Sequence, residues 1–233
     1  MLNYLLTVVI PCTDGTHHLE NLLNDLNLQK SFKGTRVIVS THPDDNESIG
    51  TVGRLRESKS LCYPVIYVPG GTVAQSRNAG LKHVSTNFVL FINDNTRLLS
   101  DDIILRSIRK IRDERLELVT CPVKSVSCGI KPFLFSSVIR FEKMVVRMIV
   151  PFASGEFFLT RTGLARKKGG FDQDILHSSD FALSCKYSMS SFGSMDECVG
   201  LDRSGHTNYR YFLDLILNRN NPEFFKHITG YQI

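Results

Sequence analysis

The sequence predicts an α/β fold, a mostly parallel β-sheet flanked by helices on both faces. Three observations carry this. Phe88-Val89-Leu90-Phe91-Ile92 is an unbroken apolar run, as a strand covered on both faces requires. Strand-like runs alternate with helical patterns, the arrangement that builds parallel crossovers. The apolar run stops abruptly at Asn93-Asp94-Asn95, which puts its most polar neighbours at a strand's carboxyl end. Open α/β sheets bind their ligands there.

The elements follow in order. Residues 5–10 form a first strand, ended by Pro11 and a turn through Cys12, Thr13, Asp14 and Gly15. Leu19, Leu22, Leu23 and Leu26 recur at i, i+3, i+4 and i+7, which predicts a helix over 17–28 with Asp14 or Thr16 as its cap. His17 and His18 fall on its first turn and read as solvent-exposed, since no metal-ligand spacing accompanies them. Residues 36–40 form the second strand, and Asp44 and Asp45 read as an ordinary Asp-rich turn. Residues 65–68 form the third. Gly70-Gly71 then either turns the chain or lets backbone N–H groups approach a phosphate. Ala74, Ala79 and Leu81 mark a short helix, broken at Ser85-Thr86-Asn87. Ser100-Asp101-Asp102 reads as an N-cap with acids in the first turn, leading a helix through Ile103, Ile104, Ile108 and Ile111. Residues 118–121 are a further strand. The basic, apolar stretch 132–151 reads as a core or cleft helix in preference to a membrane-surface one, because its polar face is not clean. Ser179-Asp180 opens a helix expected to run through Leu183, Tyr187 and Phe192.

At 233 residues, one domain or two closely fused lobes are expected. An apolar share of 42% with 22% charged residues places the chain among ordinary globular proteins. A net charge of +5 suits a phosphorylated ligand or an anionic membrane surface; without a basic, aromatic-interleaved run it does not point to nucleic acid. Six cysteines without a Cys-x-x-Cys pair exclude a zinc ribbon and suggest reduced, buried thiols in a cytoplasmic protein. The first apolar run is too short for a signal-peptide core, and no run is long enough for a membrane span.

Four blocks then carry a resemblance: the opening TVVIPCTDGTHHLENLLNDL; Arg77-Asn78-Ala79-Gly80-Leu81 followed by Phe91-Ile92-Asn93-Asp94-Asn95; Ala153-Ser154-Gly155-Glu156 with Gly169-Gly170-Phe171-Asp172; and Ser179-Asp180. In that order they resemble the GT-A glycosyltransferases of the large inverting, nucleotide-sugar-dependent family, family 2-like. The resemblance implies a Rossmann-like GT-A sheet with a C-terminal helical tail. It divides the chain into residues 1–205, with a donor half to 100 and an acceptor half from 101, and a helical extension over 206–233. It places Pro11, Thr13, Thr41, Arg77, Asn93 and Asp94 around the nucleotide-sugar, and Ser154, Gly155 and Glu156 on the acceptor side. Asp180 stands where relatives carry the catalytic base, although their preceding glutamate is Ser179 here. Relatives end the second strand with a base-binding aspartate; here Thr41 or His42 takes its place.

The resemblance also implies a divalent cation, manganese or magnesium, held by Asp94, Asn95 and His206. Asn95 stands in place of the usual carboxylate, so the cation is expected to be weak or dispensable, with Arg77, Arg97 and His206 sharing the charge stabilisation. The implied partners are a nucleotide-sugar donor and a glycan or lipid-linked acceptor in bacterial-type polysaccharide synthesis. The implied location is the cytoplasm, with peripheral contact at the membrane's inner face. The alternative is a catalytically inactive homologue that binds nucleotide-sugars or regulates. Nucleotidyl transfer is weaker still, because Cys12-Thr13-Asp14-Gly15 is not a glycine-rich, lysine-bearing loop.

Overall fold

A computed structural model describes residues 5–12, 17–125, 153–175 and 179–201. Thr13, the 132–151 stretch, His206 and the expected C-terminal extension lie outside these. The main sheet has seven strands: β1 (Leu6–Pro11), β2 (Arg36–Thr41), β3 (Val65–Pro69), β4 (Phe88–Phe91), β6 (Leu118–Thr120), β8 (Phe158–Arg161) and β9 (Phe192–Ser194). Their spatial order is β3-β2-β1-β4-β8-β6-β9. All neighbours are parallel except β8, which runs antiparallel to both β4 and β6. A small second sheet joins β5 (Thr96–Arg97), β10 (Val199–Leu201) and β7 (Val123–Ser125). The mostly parallel α/β sheet read from the sequence is the one observed.

Burial explains the apolar runs. In β1, Val8 and Ile10 pack to one side with Leu19, Leu22, Leu23 and Leu26 of α1 (His17–Asn27). The same side takes Ile103, Ile104, Ile108 and Ile111 of α4 (Ile103–Asp113). Val9, Val89 and Phe91 face the other way, against Ala74 and Leu81 of α3 (Val73–Lys82) and against Phe158 and Phe171. With period-two side chains and both faces covered, a central strand is mostly apolar, and the one buried hydroxyl of β1, on Thr7, is hydrogen-bonded by Thr86 at 2.9 Å. Each fully buried leucine of α1 contributes about 2 kcal/mol. Gly80 lets α3 lie close on the sheet: a Cβ there would stand 2.4 Å from Val9 Cγ1.

Several sequence expectations change. A helix not read from the sequence, α2 (Asn46–Glu57), follows β2, with Asp45 as its N-cap accepting from Ser48 N–H. Ser100 does not cap α4; it donates to Asp102 Oδ1 at 2.8 Å, and Asp102 at the cap position makes no capping bond. Asp102 is instead engaged by Arg106 at 2.8 Å. The helix at Ser179 ends at Ser184, because Phe192–Ser194 is strand β9 beside β6; counting α5 as Thr162–Lys167, this short helix is α6 (Ser179–Ser184). His18 is half-buried rather than exposed. Cys12 and Cys121 are buried thiols, but Cys62 is exposed. Among the described residues no helix is long and apolar enough to cross a membrane.

Candidate functional site

The carboxyl ends of β1, β2 and β4 meet as the strand order requires. Pro11 pairs with Ser40, and Cys12 N–H donates to Ser40 O at 2.8 Å. Thr41 is fully buried, and its hydroxyl donates to Asp45 Oδ2 at 2.5 Å. The other oxygen of Asp45 takes Ser48 N–H at 3.0 Å. The residue read as a plain turn is thus folded back by α2 onto the tip of β2. Burial pulls the Asp45 pKa up, but the Thr41 hydroxyl and the Ser48 and Glu47 bonds outweigh it and hold the carboxyl below its ordinary value. The Cys12 thiol is near enough to this carboxylate and to Asp94 to feel both charges. Burial first, then Asp94 and Asp45, push its pKa well up, so the thiol stays protonated and donates to Asp94.

Gly70 and Gly71 turn the chain rather than offer a phosphate cradle. Gly70 N–H donates to Thr41 O at 2.7 Å and Gly71 N–H to Ser76 Oγ at 3.1 Å. The capping box of Thr72 and Gln75 then starts α3. On α3, Arg77 is 3% exposed and its Nη2 donates to Asn93 Oδ1 at 2.8 Å. Its guanidinium also lies 4.8 Å from the centre of the Phe171 ring. The next residue, Asn78, pairs both ways with Phe171: its Nδ2 donates to Phe171 O at 2.7 Å, and Phe171 N–H donates to its Oδ1 at 2.9 Å. Gly169 and Gly170 have φ of +85° and +69°, a conformation that suits glycine and swings Phe171 inward. There it meets Phe91 edge-on at 4.8 Å.

Gly155 joins the two halves. Asn93 N–H donates to Gly155 O at 3.0 Å, and Gly155 N–H donates to Asp180 Oδ2 at 2.6 Å. Arg77 packs on its α-carbon so closely that a Cβ would stand 1.8 Å from Nη2. Asp180 is 9% exposed in the first turn of α6, and its carboxylate reaches across to the 153–157 loop. Ser154 is buried, with its hydroxyl unpartnered among the described residues, and Glu156 is half-buried. Pro11, Thr41, Arg77, Asn93, Asp94, Ser154, Gly155, Glu156 and Asp180 therefore lie along one connected edge of the sheet. Asp45 and Cys12 join them, two residues the sequence reading did not place there.

The cation expectations fare differently. Arg97 forms a two-pronged pair with Asp25, at 2.7 and 3.0 Å, which Leu98 N–H reinforces. Its guanidinium is fixed in the fold rather than offered to a leaving group. The Asn95 amide oxygen is buried and has no partner among the described residues, so it faces the protein. Among the described residues no three His, Cys, Asp or Glu side chains come together as ligands. Asp94 and Asn95 alone do not make a divalent-cation site of hard oxygen donors.

The arrangement can be compared with solved structures. Residues 1–349 of TarS from S. aureus, in complex with UDP-GlcNAc, superpose with a TM-score of 0.65 at 17% identity, over 98% of this chain and 73% of that one. Their complex with UDP gives 0.66 at 16%, over 96% and 64%. The mannosyltransferase PcManGT from Pyrobaculum calidifontis, with GDP-Man and Mn2+, gives 0.64 at 17%, over 97% and 68%. This is a glycosyltransferase fold. The chain spans 60% of TarS 1–349 in a further structure and 44% of a longer TarS chain. No protein-family model and no curated protein matches the chain.

Asp45 supplies a first test. Asp45→Asn keeps a good cap for α2, so stability falls by less than about 1 kcal/mol. If this carboxylate accepts a nucleobase N–H, as proposed below, removing its charge is expected to weaken binding of a uridine or guanosine diphosphate by about tenfold. On that reading, affinity in the parent is expected to stay flat from neutrality down to the ordinary carboxylate range, because the Asp45 pKa is lowered. The same lowering contributes stability that is complete above the unfolded-state pKa and is lost as pH falls through the folded one. Calorimetric titrations across pH check both; an affinity lost already above the ordinary carboxylate range would rule Asp45 out as a nucleobase acceptor.

Proposed function

We propose that the chain is an inverting glycosyltransferase of family-2 type, moving a sugar from a nucleoside diphosphate to an acceptor hydroxyl. The observation that carries this is Gly155, whose carbonyl holds the Asn93 loop and whose N–H holds Asp180. One residue brings the donor-side and acceptor-side blocks together. The fold supports the reading, since the solved structures named above are glycosyltransferases or carry nucleotide-sugars.

Asp45 takes the nucleobase. Uracil and guanine each present a ring N–H that a carboxylate accepts, whereas cytosine and adenine present an acceptor nitrogen there. Thr41 and the ring of Pro11 border the base; Asp94, steadied by the Cys12 thiol, faces the ribose and diphosphate. Arg77 and Asn93 set the loop that carries Asp94. Asp180 accepts the proton of the acceptor hydroxyl as that oxygen bonds to the anomeric carbon. The bond from that carbon to the diphosphate breaks, and its electron pair leaves with the nucleoside diphosphate. A divalent cation would need ligands beyond Asp94 and Asn95; were one bound, it would supply charge neutralisation for that leaving group.

A screen of nucleotide-sugars by thermal shift, with and without manganese, tests the reading. Stabilisation by uridine or guanosine diphosphate sugars and not by cytidine or adenosine ones is expected. The reverse selectivity, or none, overturns it. The buried Asn95 oxygen and the fixed Arg97 favour a second reading, a donor-binding homologue without transfer. It is distinguished by donor binding with no product from any acceptor.

Asn95→Asp reports on the cation directly. A carboxylate enclosed where the amide oxygen now lies costs on the order of 3 kcal/mol unless it is neutralised. The variant is expected to melt lower than the parent without manganese and to recover with it. A parent that manganese stabilises as strongly as the variant contradicts the weak-site assignment.

A further inference from the structure

At the opposite end of the sheet, about 420 Å³ of open cavity is lined by Leu5, Asn87, Phe88, Arg112 and Arg161. Phe88 and Arg161 are register partners on β4 and β8, at the amino-terminal end of the parallel strands. This is the far end from Asp45, Asp94 and Asp180. Two of the four cations of α4, Arg109 and Arg112, have no carboxylate partner among the described residues, and the other two do. Arg106 is paired with Asp102 and Glu197, and Lys110 with Glu114. Among the described residues neither Arg112 nor Arg161 has a carboxylate partner.

Helix α4 accounts for one of them, since Arg112 lies in its last turn, where a cation offsets the helix dipole. It does not account for Arg161. That residue sits just before the first turn of α5, the end where a cation is disfavoured. Its guanidinium lies 5.5 Å from the centre of the Phe88 ring. Both arginines are exposed and line the same open cavity, so an anion entering it meets two guanidinium groups. The Asn87 amide adds a donor, and Leu5 and Phe88 make the floor apolar. Planar guanidinium forks match the paired oxygens of a phosphate, a geometry that a spherical halide does not offer.

We propose that this cavity is a phosphate-binding site, separate from the sugar-transfer cleft, that takes a phosphate ester through Arg112 and Arg161. A phosphorylated small molecule and a phospholipid headgroup share that chemistry. The first would occupy the cavity in solution. The second would seat the base of the sheet on an anionic surface, its glycerol against Leu5 and Phe88.

Titration of the full chain with inorganic phosphate and pyrophosphate, and co-sedimentation with phosphatidylcholine vesicles with and without phosphatidylglycerol, test this. Binding in either arm is expected, and the arm names the source. Arg112→Glu with Arg161→Glu is expected to weaken it at least about tenfold. Arg161→Leu, which keeps an apolar contact with Phe88, is expected to weaken it severalfold. Arg109→Glu, a charge reversal outside the cavity, is expected to leave it within about twofold. Thermal melting confirms that each variant folds, and unchanged nucleotide binding separates this site from the cleft. No binding in either arm, or binding that Arg109→Glu weakens as much as the double variant, overturns the proposal.

Discussion

Asp180→Asn is expected to lower sugar transfer by at least about a hundredfold while leaving donor binding within twofold, since a positioned general base contributes roughly 10²–10⁴. The substitution preserves size and still offers an amide oxygen to Gly155 N–H, which the carboxylate now takes at 2.6 Å. The loop therefore keeps its place, and only the basicity is removed. An effect of this kind falls on the rate with saturating acceptor rather than on donor affinity. Steady-state kinetics with a donor identified by the thermal-shift screen read it out. Transfer within threefold of the parent removes Asp180 from the mechanism.

Gly155→Ala is the second large effect, and it acts through geometry alone. The added Cβ would stand 1.8 Å from Arg77 Nη2 and 3.1 Å from Asn93 Oδ1. Arg77 is 3% exposed, so its guanidinium has no open path to retreat along. Overpacking of this kind costs about 1–3 kcal/mol and lowers Tm by roughly 3–10 °C for a domain of this size. Displacing Arg77 releases Asn93, and with it the loop carrying Asp94, so donor affinity falls by at least about tenfold. A double-mutant cycle isolates the clash: on an Arg77→Ala background, Gly155→Ala is expected to add little. Equal costs on both backgrounds would show that the glycine is needed for something other than room for Arg77.

The parts that were legible in the sequence were those with a single physical cause. The apolar run at 88–92 reads as a central strand because both of its faces are covered, and Val8, Val9 and Ile10 repeat the pattern in β1. The leucine spacing of α1 reads as a helix because one face is wholly buried. Helix α2 escaped because its buried residues are Ser48, Thr51 and Val52, a face with almost no apolar signal. Asp45 escaped with it: a turn aspartate and a cap aspartate look alike until the helix that follows is known. Arg97 read as a free cation because Asp25 lies 72 residues earlier, and nothing local announces the pair. The meeting of the two blocks at Gly155 was illegible in detail for a different reason. It runs through a backbone N–H and a backbone carbonyl, which every residue but proline possesses.

The central claim is that the edge running from Asp45 through Asp94 and Gly155 to Asp180 is one donor and acceptor site. A crystal structure of the chain grown with a uridine or guanosine diphosphate sugar tests it most directly. The base N–H is expected on Asp45, the diphosphate beside Asp94, and the anomeric carbon facing the Gly155–Asp180 contact. A nucleotide-sugar bound elsewhere, with its diphosphate between Arg112 and Arg161 or its base away from Asp45, would contradict it.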